Sequence, residues 1–308
     1  MTLLHLSRDE VRSLLPPVQD QLDVVERTYL ALAAGRVELP PKPGIHPRKN
    51  SFIHAMPAYL ADDDVAALKW IAGYPENKAR GLPYISGLVV LNDADTGLPV
   101  AVMDGAEITA ARTAAASGVC VRRWAPTGWQ EVAILGCGEQ GRFHAAMLAA
   151  LNSGMHIRAY DPHPERIEQL EGAVDPAEGP REAVTGAQVL VSAGPIVEEP
   201  DPPITGDWLG DAVLALPIDF DFYFSAEAIE SCDLFLVDDV AQFEYYRGLG
   251  HFRDWPAPAK SVGEALTDGD RGERVACVNL GVGALDAAFA SQVLTAARGR
   301  GVGRELPL

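Results

Sequence analysis

The 308-residue chain is short of cysteine, of positive charge and of long apolar runs. Its four cysteines, Cys120, Cys137, Cys232 and Cys277, are scattered and form no C-x-x-C pair. That excludes a disulfide framework or a thiolate zinc site and leaves reduced, mostly buried thiols. Bases number 25 against 43 acids, a formal net charge of −18, which argues against nucleic acid or an anionic membrane as partner. No run reaches the length of a membrane helix, and the first residues carry no signal-like apolar stretch, so a cytoplasmic protein is expected. The histidines show no H-x-x-x-H spacing and no partner acid, so no metal is expected. Ser86, Thr113 and Ser192 have no evident His/Asp array, which leaves hydrolase chemistry unsupported. Internal repeats and low-complexity tracts are also missing.

Glycine, by contrast, is placed with purpose. Glu131-Val-Ala-Ile-Leu runs into Gly136-Cys-Gly138-Glu139-Gln140-Gly141, and an alanine-rich helical stretch follows. Strand, G-x-G-x-x-G and helix in that order are the context that gives the motif meaning. Gly136 permits the tight turn, Gly138 admits a pyrophosphate close to the backbone, and Gly141 lets helix and strand pack closely. Free N–H groups and the positive helix end then face the phosphates. A second strand, 156–160, ends at Asp161, 25 residues after Gly136. A carboxylate there bonds ribose hydroxyls and repels a 2′-phosphate, so the cofactor expected is NAD rather than NADP.

Hydrophobic residues make up 48% of the chain, enough for one large domain or two ordinary ones. Before the glycine motif the pattern predicts a helix over 18–34 and strands over 51–56, 65–71, 87–92 and 99–103, the last two joined by the turn Asp93-Ala-Asp-Thr-Gly97. After it, strands at 188–192, 212–216 and 233–237 alternate with helical segments, as in a parallel doubly wound sheet. The fold class expected is α/β: a Rossmann-type doubly wound domain over 116–283 plus an α+β domain over 1–115, the latter completed by a C-terminal helix within 284–308. His144, just past the glycine loop, is expected on the helix surface.

Three positions invite chemistry. Lys69 interrupts an apolar run, Val65-Ala-Ala-Leu-Lys69-Trp-Ile-Ala-Gly, and either reaches solvent at a strand end or serves as a buried cation for a carboxylate or a proton. Arg112 stands among alanines, either on a helix surface or as a planar clamp for an oxyanion. Asp219 and Asp221 follow a strand where parallel sheets bind ligands; each is either a general acid/base or a turn cap.

Lys69-Trp-Ile-Ala-Gly-Tyr-Pro75-Glu-Asn77, Gly81-Leu-Pro83, Leu91-Asn-Asp-Ala-Asp-Thr96-Gly97, Arg112-Thr113-Ala-Ala, Met56-Pro-Ala-Tyr59 and Asn279-Leu-Gly281-Val-Gly-Ala-Leu-Asp286 together resemble the ornithine cyclodeaminase/mu-crystallin family over nearly the whole chain. The resemblance implies a homodimer that assembles through residues 51–103 and the helix after Ala284. It implies hydride transfer at the α-carbon of a small amino, imino or keto acid, with an ammonia-releasing cyclodeaminase as the alternative and a non-enzymatic binder as a remoter one. By position it makes Lys69 and Asp219 catalytic and assigns the substrate to Lys42, Met56, Lys69 and Arg112. To the cofactor it assigns Arg112, Thr113, Gly136, Gly138, Glu139, Gln140, Asp161, Pro162, Ser192, Ala193, Leu216 and Asn279. Two departures stand out. The register after the strand leaves Asp221 a rival of Asp219, and His54 occupies the place where cyclodeaminases carry an acid for the substrate amine.

Overall fold

The computed structural model describes residues 2–197 and 199–308. The chain divides into two compact units, Met1–Arg112 with Gly281–Leu308, and Thr113–Leu280. In chain order the first unit begins with β1 (Thr2–Leu6), α1 (Arg8–Leu14) and α2 (Val18–Ala33). Strands β2 (Val37–Glu38), β3 (Gly44–Ile45), β4 (Phe52–Leu60), β5 (Val65–Gly73), β6 (Ile85–Asp93) and β7 (Pro99–Asp104) follow, then α3 (Gly105–Trp124), within which the boundary between the units falls. The β6–β7 turn forms as the sequence predicts. Asp93 Oδ1 accepts hydrogen bonds from Thr96 N and Oγ1, and Gly97 supplies a φ of +70°.

The second unit alternates strand and helix: β8 (Glu131–Leu135), α4 (Glu139–Leu151), β9 (His156–Tyr160), β10 (Val174–Pro176), α5 (Pro180–Val184), β11 (Val189–Ser192), β12 (Val213–Pro217), α6 (Ala226–Glu230), β13 (Leu234–Val237), α7 (Val240–Gly248), β14 (Lys260–Ser261), α8 (Val262–Asp268) and β15 (Arg274–Val278). Its sheet order is β10-β9-β8-β11-β12-β15-β13-β14, and every pairing among the described residues is parallel. The core strands are buried along nearly their whole length, as expected of a parallel sheet covered on both faces. The strand order reverses between β8 and β11, which opens a crevice beyond their carboxyl ends. Strand β15 has no counterpart among the strands the sequence predicts. The four-residue apolar run 275–278 carries no period of its own, and the pairing of β15 between β12 and β13 is a long-range event.

The chain then returns to the first unit with α9 (Gly283–Arg300) and β16 (Arg304–Pro307). That unit's sheet runs β16-β1-β7-β6-β5-β4-β2, with β3 also on β4. It is not purely antiparallel, because β1 joins β7 in parallel. Helix α9 covers one face, burying Met56, Ala58 and Leu60 of β4, Ala67, Lys69 and Ile71 of β5, and Val89 and Leu91 of β6. Period-two alternation sends Trp70 and Leu88 to the opposite face, where they pair in register and are each 46% exposed. Among the described residues no helix is long and apolar enough to cross a membrane.

Candidate functional site

In the first unit the alternation that buries Ala67 and Ile71 also drives Lys69 inward, to 1% exposure. Its ammonium lies 2.7 Å from Asp286 Oδ2 and donates to Thr109 Oγ1 at 3.2 Å. Burial, and then Arg112, pull its pKa down from 10.5 to about 7, against the opposing pull of Asp286. Arg112 is buried, and its Nε donates to Asp286 Oδ1 at 3.0 Å. Lys42, also buried, donates to the carbonyl of Gly281 at 3.3 Å. Gly281 has a φ of +88°, and a Cβ there would lie 2.8 Å from the Arg112 guanidinium nitrogens, so only glycine fits. Met56 pairs with Lys69 across β4 and β5 and is buried. Lys42, Met56, Lys69 and Arg112 therefore gather in one unit. His54, two residues from Met56 on the same strand, stacks on Phe52 at 4.4 Å. Burial, with Lys42, His46 and Lys69 nearby, lowers its pKa to about 3, so it is neutral at working pH.

The sequence marks no site role for Asp286, although that residue closes the C-terminal motif. It has no solvent exposure and sits in the first turn of α9, where the helix end favours an anion. A lone carboxylate in an alanine-rich helix is the same signal as a lysine in an apolar strand.

In the second unit the glycine motif takes the shape its spacing predicts. Gly136 has a φ of +91°, and a Cβ on it would meet Ala193 O at 2.5 Å. A Cβ on Gly141 would meet Gly136 O at 2.2 Å, whereas one on Gly138 would meet nothing within 4 Å. The open face is thus at Gly138, which precedes α4, with Glu139 and Gln140 in its first turn. Among the described residues the buried Oε1 of Gln140 finds no hydrogen-bond partner. Asp161 is buried, with Oδ2 accepting from Cys137 N at 2.8 Å and Oδ1 from His163 N at 2.9 Å and from Arg166 Nη1 at 3.4 Å. A carboxylate has about four acceptor positions, so capacity remains for a ribose hydroxyl. Pro162 beside it is exposed, Leu216 is fully buried in β12, and Thr113 is buried in α3. These residues fit a dinucleotide: a cradle that side chains would fill, an open glycine face at a helix N-terminus, and a carboxylate at the next strand end.

The two aspartates separate clearly. Asp219, 1% exposed, accepts from Ser192 Oγ at 2.5 Å and from Gly194 N at 2.8 Å, beside Ala193 and the glycine turn. Burial pushes its pKa up from 3.8 to about 7 despite those hydrogen bonds. Asp221 instead accepts from Phe252 N at 2.7 Å, with His251 3.6 Å away. It ties down a turn, while Phe220 between the two aspartates adopts a φ of +64°.

His144 corrects an expectation. It is 1% exposed, with Nδ1 2.8 Å from Gln140 O and Nε2 2.9 Å from Ser117 Oγ. A carbonyl only accepts, so Nδ1 carries the proton and Nε2 accepts from Ser117. Ser117 Oγ in turn accepts from Asn279 Nδ2 at 3.5 Å. Among the described residues no group of three or more His, Cys, Asp or Glu is arranged to hold a metal.

Residues 4–228 match the ornithine cyclodeaminase/mu-crystallin family. The chain is 36% identical to the nodulation efficiency protein NfeD of Rhizobium meliloti, over 97% of this chain and 96% of that protein. It is 29% identical to alanine dehydrogenase of Archaeoglobus fulgidus, over 68% of this chain and 64% of that enzyme. Thermococcus litoralis Delta(1)-pyrroline-2-carboxylate reductase, in complex with NADH and L-proline, shares the fold with a TM-score of 0.85 at 25% identity, over 99% of this chain and 100% of that one. An archaeal alanine dehydrogenase dimer with bound NAD gives a TM-score of 0.86, also at 25% identity and over the full length of both chains. Relatives in this group thus include dehydrogenases, reductases and cyclodeaminases. By its matched length and its architecture, this chain belongs to the ornithine cyclodeaminase/mu-crystallin family.

Proposed function

We propose that the protein is an NAD-dependent oxidoreductase acting at the α-carbon of a small amino or imino acid, as an amino acid dehydrogenase or imine reductase. The observation that carries this reading is the buried cluster of Lys69, Arg112 and Asp286 in a chain that also holds a dinucleotide turn. Buried cations sharing a single carboxylate suit an incoming carboxylate. The family membership and the relatives that bind NAD or NADH support it. Bound NAD supplies or accepts the hydride.

The chain's own residues do the rest. Gly136, Gly138 and the N-terminus of α4, with Glu139 and Gln140, seat the pyrophosphate. Asp161 accepts from the ribose and disfavours a 2′-phosphate, with Pro162 beside it. Thr113, Ser192, Ala193, Leu216 and Asn279 complete the cofactor's surroundings. Lys42, Lys69 and Arg112 hold the α-carboxylate, and Met56 packs beside Lys69. Asp219 is the proposed proton carrier, since its pKa near 7 lets it give or take a proton. Asp221, engaged by the Phe252 amide, is given no such role. A neutral His54 offers no charge to a second substrate amine, which favours net redox chemistry over cyclisation of a diamino acid. The apolar sheet face around Trp70 and Leu88 is the proposed homodimer contact; the helix after Ala284, also expected there, is instead largely buried against the other face of its own sheet.

The test is a panel of 2-oxo acids with ammonia or amines against NADH, and of amino acids against NAD, followed by absorbance. Net NADH consumption or production is expected. Ammonia and a cyclic imino acid without net NADH would make it a lyase, and no turnover on any member would favour a binder.

A further inference from the structure

Lys69 and Arg112 reach the interior of the first unit from different elements, β5 and α3, and meet on one carboxylate. That carboxylate comes from a third element, α9, more than 170 residues further along the chain than Arg112. The two oxygens of Asp286 are divided between the cations, Oδ2 to Lys69 and Oδ1 to Arg112. The division fixes the spacing of the ammonium and the guanidinium. It also leaves two buried cations on one anion, an imbalance that a second carboxylate would correct.

The geometry points to Asp286 as a positioning residue, which holds Lys69 and Arg112 apart as a two-point seat for the substrate carboxylate and keeps Lys69 chargeable inside the protein. This rests on the carboxylate-binding reading proposed above and adds to it a residue that need not touch substrate. The groups facing Lys69 are Asp286 from α9, Arg112 and Thr109 from α3, Lys42 from the segment before β3, and His54 from β4. Arg112 and Lys42 push its proton off, His54 is neutral, and Asp286 opposes them. With Asp286 neutralised, Lys69 loses its proton at lower pH, and the seat loses one of its two charges. When a carboxylate binds the intact protein, the added negative charge draws a proton back onto Lys69 above neutrality.

The test titrates pyruvate into the protein–NAD complex by calorimetry from about pH 6 to 9, in pairs of buffers with different ionisation enthalpies. The unaltered protein is expected to take up protons on binding above about pH 7. Asp286→Asn is expected to bind pyruvate at least about tenfold more weakly at pH 8, the effect of displacing the Lys69 pKa by one unit or more, and to recover partly at pH 6. Its NAD affinity should stay within about twofold. A merely structural role would not give this pH-dependent recovery. Pyruvate binding without proton uptake in the unaltered protein overturns the inference, and this arm decides if Asp286→Asn fails to fold. An Asp286→Asn profile that coincides with the unaltered one overturns it too. Failure of the unaltered protein to bind pyruvate or any other 2-oxo acid removes the carboxylate seat itself, and the inference with it.

Discussion

Replacing Asp219 with asparagine separates a charge from a shape. The carboxylate accepts from Ser192 Oγ and Gly194 N. An asparagine oxygen can take the Gly194 amide, while its NH2 donates to the Ser192 hydroxyl, which rotates to accept. The fold should therefore survive. Burial moves the Asp219 pKa from 3.8 to about 7. Three pKa units correspond to about 4 kcal/mol of preference for the neutral carboxyl in the folded state. The sign follows from linkage. A raised folded pKa means stability that is fully present below about pH 4 and lost as the pH rises through 7. Asp219→Asn should match the parent's melting temperature near pH 4 and exceed it at pH 8, with about 4 kcal/mol as the ceiling. Turnover should fall on the order of a hundredfold to ten-thousandfold, the usual loss when a positioned acid/base is removed. In the parent, reductive turnover should decline above about pH 7, where the proton is gone, and oxidative turnover should rise there. Thermal melts at the two pH values and initial rates of NADH change check all of this. Equal melting curves at pH 8, together with rates within a few-fold of the parent, would refute the reasoning. An inactive Asp221→Asn beside an active Asp219→Asn would move the role to Asp221.

The glycine loop gives a second test. Gly138→Ala adds a methyl group where nothing lies within 4 Å, so the melting temperature should hold while NADH affinity, read by fluorescence, drops. Gly141→Ala forces a contact at 2.2 Å with Gly136 O and should lower both. Full NADH affinity in Gly138→Ala would count against pyrophosphate binding at that face. Third, Trp70→Asp with Leu88→Lys, on the exposed sheet face, should turn a dimer into a monomer by light scattering; a monomeric parent at micromolar concentration contradicts the proposed interface.

Local patterns carried much of this protein in its sequence. The spacing of Gly136, Gly138 and Gly141 fixes a turn, because each glycine answers a clash or a φ that is settled within a few residues. Alternation around Lys69 fixes which face of β5 is buried, and Asp93-Ala-Asp-Thr-Gly97 fixes its own turn. Tertiary structure decided what depends on distant partners. The place of β15 between β12 and β13 rests on pairings no short apolar run specifies. His144, polar and in a helix, is buried because Ser117 and the Gln140 carbonyl satisfy both ring nitrogens. Asp219 and Asp221, two residues apart, differ only in what the fold brings to them: Ser192 and Gly194 for one, the Phe252 amide for the other. Asp286 matters because α9 folds back over β5 and sets a carboxylate between Lys69 and Arg112. Charges buried together must find one another across the chain, and which ones meet is a property of the packed structure rather than of any stretch of sequence.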